Sequence, residues 1–169
     1  MMRTLVVVMM LVACDAGAPA PPVPTTPTKT RTVTPRSKLP PAIQPLVPQH
    51  GIYAAGGGLM SAPWRVVVDT DANTIFAGSS QTPNSPSFGK LEHEDTKPLT
   101  APNKQHLMQL ANDAWSEVPP NEHPDPTGDY DELIVVADGD NTFYLEGYGP
   151  IHRPRAMKLI EELRAAGAL

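Results

Sequence analysis

The chain is short of the residues that most often staple small exported domains or line catalytic clefts. Among 169 residues there are one cysteine, three phenylalanines, two tryptophans and four tyrosines. A single thiol excludes a disulfide within the chain, so any fold rests on its apolar core alone. Aromatic residues make up 5% of the sequence, a thin supply for the sugar-binding cleft that surrounds paired glycosidase carboxylates. No apolar run approaches the ~20 residues that cross a bilayer as a helix. There is no Gly-x-Ser-x-Gly elbow for acyl transfer. Gly56-Gly57-Gly58 is followed by neither a Lys-Ser/Thr pair nor a helix signal, which makes it a flexible entry rather than a phosphate loop. The five histidines include no His-x-x-x-His pair, the helical spacing that zinc favours.

What is present begins with a processing signal. Met1, Met2 and Arg3 give a positively charged start, and Thr4 to Ala13 form an apolar core of ten residues, the size and order of a secretory signal. The core closes on Leu11-Val12-Ala13-Cys14. This tetrapeptide resembles the lipobox of bacterial lipoproteins, in which a branched residue, a small or branched residue and a small residue precede a cysteine. The resemblance covers only the first fourteen or so residues. It implies that residues 1–13 are removed as a signal peptide and that Cys14 becomes the N-terminus, its thiol carrying a diacylglycerol and its amine a further acyl chain such as palmitate. Burial contributes about 0.8 kcal/mol per methylene, so two or three chains anchor a protein where one binds marginally. The implied location is the bacterial cell envelope, with the domain facing the periplasm or exterior. Asp15 resembles the inner-membrane retention signal of enteric lipoproteins, a rule other bacteria do not follow, so the choice of membrane stays open.

From Cys14 to His50 the composition shifts to proline and threonine, with no apolar periodicity. Such a stretch buries too little surface to offset its ordering entropy, and residues 14–50 are expected to be a disordered tether. Lys29, Arg31, Arg36 and Lys38 make it basic. From Gly51 onward, seventeen acidic residues face eight Lys and Arg, a balance of −9. A surface of that sign excludes nucleic acid as an expected partner.

Residues 51–169 are long enough for one small α+β domain. Trp64 to Asp69 and Thr74 to Gly78 read as a hairpin, and Leu133 to Ala137 with Thr142 to Glu146 as a second, each with Asp, Asn or Gly between its arms. After the first, Leu107, Leu110, Ala111, Ala114, Trp115 and Val118 recur at three- and four-residue steps up to Pro119-Pro120. After the second, Ala156, Leu159, Ile160 and Leu163 do the same, with Gly167 placed to end the helix. The expected architecture is ββαββα: an antiparallel sheet of about four strands with both helices packed on one face. A shift of 68 positions lays the first hairpin on the second without a gap, which either a duplication or shared turn chemistry produces. The last hairpin and helix, Tyr130 to Leu163, resemble small uncharacterised domains of bacterial lipoproteins, a likeness that carries a fold and no activity.

Three candidate sites follow. Alternation sends Phe143 and Leu145 to one face of the sheet and Tyr144 to the other; Ile134, Val136 and Tyr144 are expected to form a bare partner face, unless Gly51 to Pro63 covers it. Tyr148, His152 and Arg153 stand at the start of the last helix, where backbone NH groups favour an anion. Glu92-His93-Glu94-Asp95 and Glu122-His123-Pro124-Asp125 bring acids and histidines together, but neither has metal-site spacing. The loop opening on Asp69, Asp71 and Asn73 departs from a calcium loop at Thr74 and Ser80. No metal, cofactor or catalytic residue is expected. The leading expectation is a lipid-anchored, non-enzymatic module that binds an envelope protein or cell-wall polymer. The alternative is a small periplasmic hydrolase or metal-dependent enzyme using the acidic and histidine loops.

Overall fold

The computed structural model describes residues 33–83, 87–117, 130–148 and 151–169. The fold is α+β: a seven-stranded sheet in which every neighbouring pair is antiparallel, with two helices packed together. In chain order the elements are β1 (Thr34–Pro35), β2 (His50–Gly58), β3 (Trp64–Asp69), β4 (Thr74–Ser79), β5 (His93–Pro98), α1 (Ala101–Trp115), β6 (Tyr130–Asp138), β7 (Asn141–Tyr148) and α2 (Pro154–Gly167). Across the sheet they run β1-β7-β6-β2-β3-β4-β5.

Both expected hairpins are there, and their registers are the same under the 68-residue shift. Asp69 faces Thr74 in the first, and Ala137 faces Thr142 in the second. The turns are closed by residues suited to a left-handed backbone, Asn73 at φ 53° and Gly139 at φ 64°. The sheet has three more strands than the expected four. The largest addition, β2, runs down the middle between β6 and β3. Its composition, HGIYAAGGG, is weak in β-branched residues, so it owes its place to the strands and side chains on every side of it. Gly51 shows why small residues are needed. With φ 146° it turns the backbone against β3, and a Cβ there would stand 1.9 Å from the Val68 carbonyl oxygen. The stretch that sequence reading took as an entry loop is thus a central strand.

One face of the sheet joins the helices in a single core. Ile52, Ala54, Val66, Val68, Ile75, Ala77, Ile134, Val136 and Phe143 meet Leu107, Leu110, Ala111 and Ala114 of α1 and Ala156, Leu159, Ile160 and Leu163 of α2. Trp115 stacks on Phe143 with centroids 6.1 Å apart. The helices are antiparallel, since His106 near the start of α1 meets Glu162 late in α2, while Asp113 meets Arg155. Helix α2 also contacts β3 and β4. Gly167 is its last residue rather than its left-handed cap, a part taken by Ala168 at φ 60°. A Cβ on Gly167 would lie 2.8 Å from that of Ala77, so glycine is there for close packing.

The opposite face carries a second core. Leu39, Ile43 and Val47, from the stretch whose composition reads as tether, are buried against Tyr53, Ala55, Val135 and Ala137. Residues 34–49 therefore form a strap over this face. Arg36 fastens it: Nε donates to the Gly139 carbonyl at 3.2 Å, and the guanidinium ends donate to the carbonyls of Val47 and Pro48. Thr142 donates its hydroxyl to the Thr34 carbonyl, closing β1 onto β7.

Candidate functional site

The register of β6 and β7 corrects the expected partner face. Val136 faces Phe143 and Ile134 faces Leu145, while Tyr144 faces Val135. Directly opposed residues in an antiparallel pair share a face, so Ile134 and Val136 belong to the helix-side core and only Tyr144 lies on the far side. A shift of one residue in register exchanges the two faces, and alternation along one strand cannot fix the other strand's phase. Nor is the far side bare. The strap covers it, Tyr144 is half-buried, and its hydroxyl donates to Glu146.

At the start of α2 the anion is internal. The NH of Arg155 donates to Glu117 Oε1 at 3.4 Å, so a carboxylate from the end of α1 already sits at this helix N-terminus. The second oxygen of Glu117 is buried with no hydrogen-bond partner among the described residues. Burial lowers the Arg153 pKa, and Glu117 opposes that shift. His152 is exposed, and the side chain of Tyr148 lies outside the described residues.

The histidine clusters part company. His93 opens the edge strand β5 opposite Ser79, and all six residues of that strand are exposed. Glu94 is drawn to Arg65 at 3.5 Å. Glu92 accepts from the Thr82 hydroxyl and the Gln81 NH, which in that order hold its pKa below the usual carboxylate range. Glu122, His123 and Asp125 lie outside the described residues, as does Cys14. Among the described residues no group of three His, Cys, Asp or Glu is arranged to hold a metal. Ser87-Phe88-Gly89-Lys90 has a Ser-x-x-Lys spacing, an element that sequence reading counted as absent. That spacing brings hydroxyl and amine together on a helical turn, and here it lies in a non-helical loop whose Ser87 and Gly89 carbonyls accept from Arg65.

Two arrangements were not legible in the sequence. On the strap side, the Tyr53 hydroxyl is buried without a hydrogen-bond partner among the described residues. Burial pushes its pKa up to about 12, against the pull of the neighbouring Arg65 charge. On the helix side, a cleft of about 420 Å³ opens between α2 and β6, lined by Glu132, Met157, Ile160, Glu161, Arg164 and Leu169. Glu132 is 8% exposed, and one carboxylate oxygen accepts from the Ile151 NH at 3.1 Å. Arg164 lies over the Trp64 ring at 5.1 Å. Met157, Glu161 and Arg164 recur along one side of α2, so the cleft combines an apolar wall with fixed charges. That is the make-up of a recognition surface. The chain matches no family model, no curated protein and no solved structure.

Proposed function

We propose that this protein is a lipid-anchored module of the bacterial cell envelope that binds a protein or envelope polymer outside the cytoplasm through the cleft beside α2. The observation that carries the reading is the order of the first fourteen residues, a charged start and an apolar core closing on Leu11-Val12-Ala13-Cys14. The cleft supports the binding half, because the exposed Glu161 and Arg164 border it together with Met157, Ile160 and Leu169 and so offer charge and apolar contact to one partner. The finer architecture belongs to the same reading: two hairpins, β3–β4 and β6–β7, each followed in the chain by a helix over the same sheet face, the first after the intervening edge strand β5.

Labelled palmitate supplied to cells making the full chain is expected to enter the wild-type protein and not Cys14→Ser, which should leave the membrane fraction. Equal labelling or equal retention of the two would end the anchor reading. For the cleft, Met157→Asp is expected to lower recovery of envelope material cross-linked to the wild type, while Lys97→Ala on the far edge strand leaves it unchanged. Identical recovery from all three would remove the cleft as the binding surface.

A further inference from the structure

Strand β5 is the last of its sheet, and among the described residues it pairs with β4 alone. Its six residues, HEDTKP, are all exposed. Two hydrogen bonds fix which of its backbone groups point outward. The Ser80 NH donates to the Pro63 carbonyl and the Leu99 NH to the Asn73 carbonyl, each one step beyond the paired residues of β3 with β4 and of β4 with β5. Bonded and non-bonded pairs alternate along an antiparallel ladder. His93, Asp95 and Lys97 therefore bond inward to β4, while the NH and carbonyl of Glu94 and Thr96, and the carbonyl of Pro98, point away from the sheet. Opposed side chains share a face. Asp95 and Lys97 lie opposite the core residues Ala77 and Ile75, on the helix side, and their own ion pair measures 3.4 Å. Glu94 lies on the other face, where Arg65 and the Leu91 NH already hold its carboxylate.

We propose that β5 is a self-association edge, to which a second copy of this chain adds its own β5 antiparallel, joining the two sheets about a two-fold axis. Outward-facing residues must then oppose outward-facing residues, which allows registers centred on Asp95, Thr96 or Lys97. Centring on Asp95 sets it against its own copy, and centring on Lys97 does the same for that residue. Like charges directly opposite are destabilising. Centring on Thr96 instead sets Asp95 opposite the partner's Lys97 and Lys97 opposite the partner's Asp95, at the non-bonded positions where side chains come closest. With the ion pair already made inside each copy, these side chains form a ring in which every neighbour has the opposite sign. The backbone agrees with that register. Each Thr96 NH meets the partner's Thr96 carbonyl, and each Glu94 NH meets the partner's Pro98 carbonyl. Charge on an edge strand ordinarily turns added strands away; here it turns away the neighbouring registers and admits one. A two-fold contact of this kind closes on itself, so assembly stops at two copies. Three strands, β2, β3 and β4, separate β5 from β6, whose Glu132 borders the cleft beside α2, and the pairing leaves that cleft open.

The test is sedimentation equilibrium of the full chain in density-matched detergent micelles, which disperse the apolar N-terminal segment whether or not Cys14 is acylated. Wild type is expected to show a reversible monomer–dimer equilibrium. Asp95→Lys and Lys97→Asp, each alone, bring like charges together and are expected to weaken dimerisation by ~10-fold or more. Mixed in equal amounts, these two single variants are expected to pair with each other. A variant carrying both changes is expected to pair with itself again, since the ring is restored with its signs exchanged. Thr96→Pro is an independent probe: proline is tolerated on an edge strand where the NH faces outward, and its loss removes the central bonds while sparing the ladder to β4. Wild type that stays monomeric up to ~1 mM overturns the inference. So does a dimer that the single reversals leave as tight as before, or one that Thr96→Pro does not weaken, because either places the contact on another surface. Single reversals that stay apart on mixing also overturn it, since direct opposition of positions 95 and 97 requires the rescue.

Discussion

Tyr53 shows how much one side chain can depend on its surroundings. Its ring is fully buried between the sheet and the strap, yet its hydroxyl has no hydrogen-bond partner among the described residues. An unmet buried donor costs about 1–3 kcal/mol, so Tyr53→Phe is expected to be neutral or stabilising in urea unfolding at neutral pH. The pH dependence is sharper. Because the folded pKa is raised from 10.0 to about 12, the native state resists ionisation, and this contribution is whole below pH 10 and lost as pH rises toward 12. The loss amounts to at most about 2–3 kcal/mol. Tyr53→Phe should lack that part of the alkaline decline, and an identical decline in both proteins would refute the assignment.

His50 titrates in a different range. Its Nδ1 lies 2.8 Å from Asp71 Oδ2, and Nε2 lies 3.9 Å from Asp138. The hydrogen bond to Asp71 is the main cause of a raised pKa, with both aspartates adding attraction and Arg36 opposing. The resulting stabilisation is complete below the unfolded value near 6.5 and vanishes as pH climbs through the folded value. An NMR titration should place His50 above 6.5, with Asp71→Asn bringing it back down. A His50 that titrates identically in both proteins contradicts this.

Among the elements, the end of α2 separates two jobs that sequence reading assigned to one glycine. Gly167 gives room for Ala77, and Ala168 takes the left-handed position. Ala168→Gly is therefore expected to raise stability by about 0.5–1 kcal/mol, and Gly167→Ala to lower it through overpacking by about 1–3 kcal/mol; thermal unfolding of the two variants checks both signs. The helices and hairpins were legible because their own residues specify them. Leu107 to Trp115 and Ala156 to Leu163 repeat at helical spacing, and Val66 to Val68 and Ile134 to Val136 are β-branched runs closed by Asp, Asn and Gly. Strands β2 and β5 were not. Gly51, Ala54 and Ala55 become strand only when β3 and β6 lie beside them, and the run from His93 to Lys97 has no apolar alternation because it guards an exposed edge. The candidate sites fared worse than the fold for a related reason. That Ile134 and Tyr144 take opposite faces of the sheet, and that Glu117 reaches the first turn of α2, are set by register and by contacts between distant segments.

For the molecule as a whole, composition places the domain boundary at Gly51, whereas packing carries the folded unit back at least to Thr34. Leu39, Ile43 and Val47 are each buried, and full burial of such side chains contributes about 1.5–3 kcal/mol apiece. Their sum rivals the ~5–15 kcal/mol that holds a typical domain folded. A chain starting at Gly51 is accordingly expected to be unfolded or aggregated, and one starting at Val33 to unfold in a single cooperative urea transition. Matching midpoints for the two would show that the strap is dispensable.

The strap also decides how the protein meets mechanical force. A pull applied to the backbone at Val33 bears first on the two-residue β1–β7 pairing and the Arg36 clamp. Under a steady pull at that point we expect the strap to peel away, taking β1 with it, in a short, low-force step before the remaining six strands rupture, so that a tug lengthens the chain and spares the globule. A force trace with one undivided rupture would show that strap and sheet yield together.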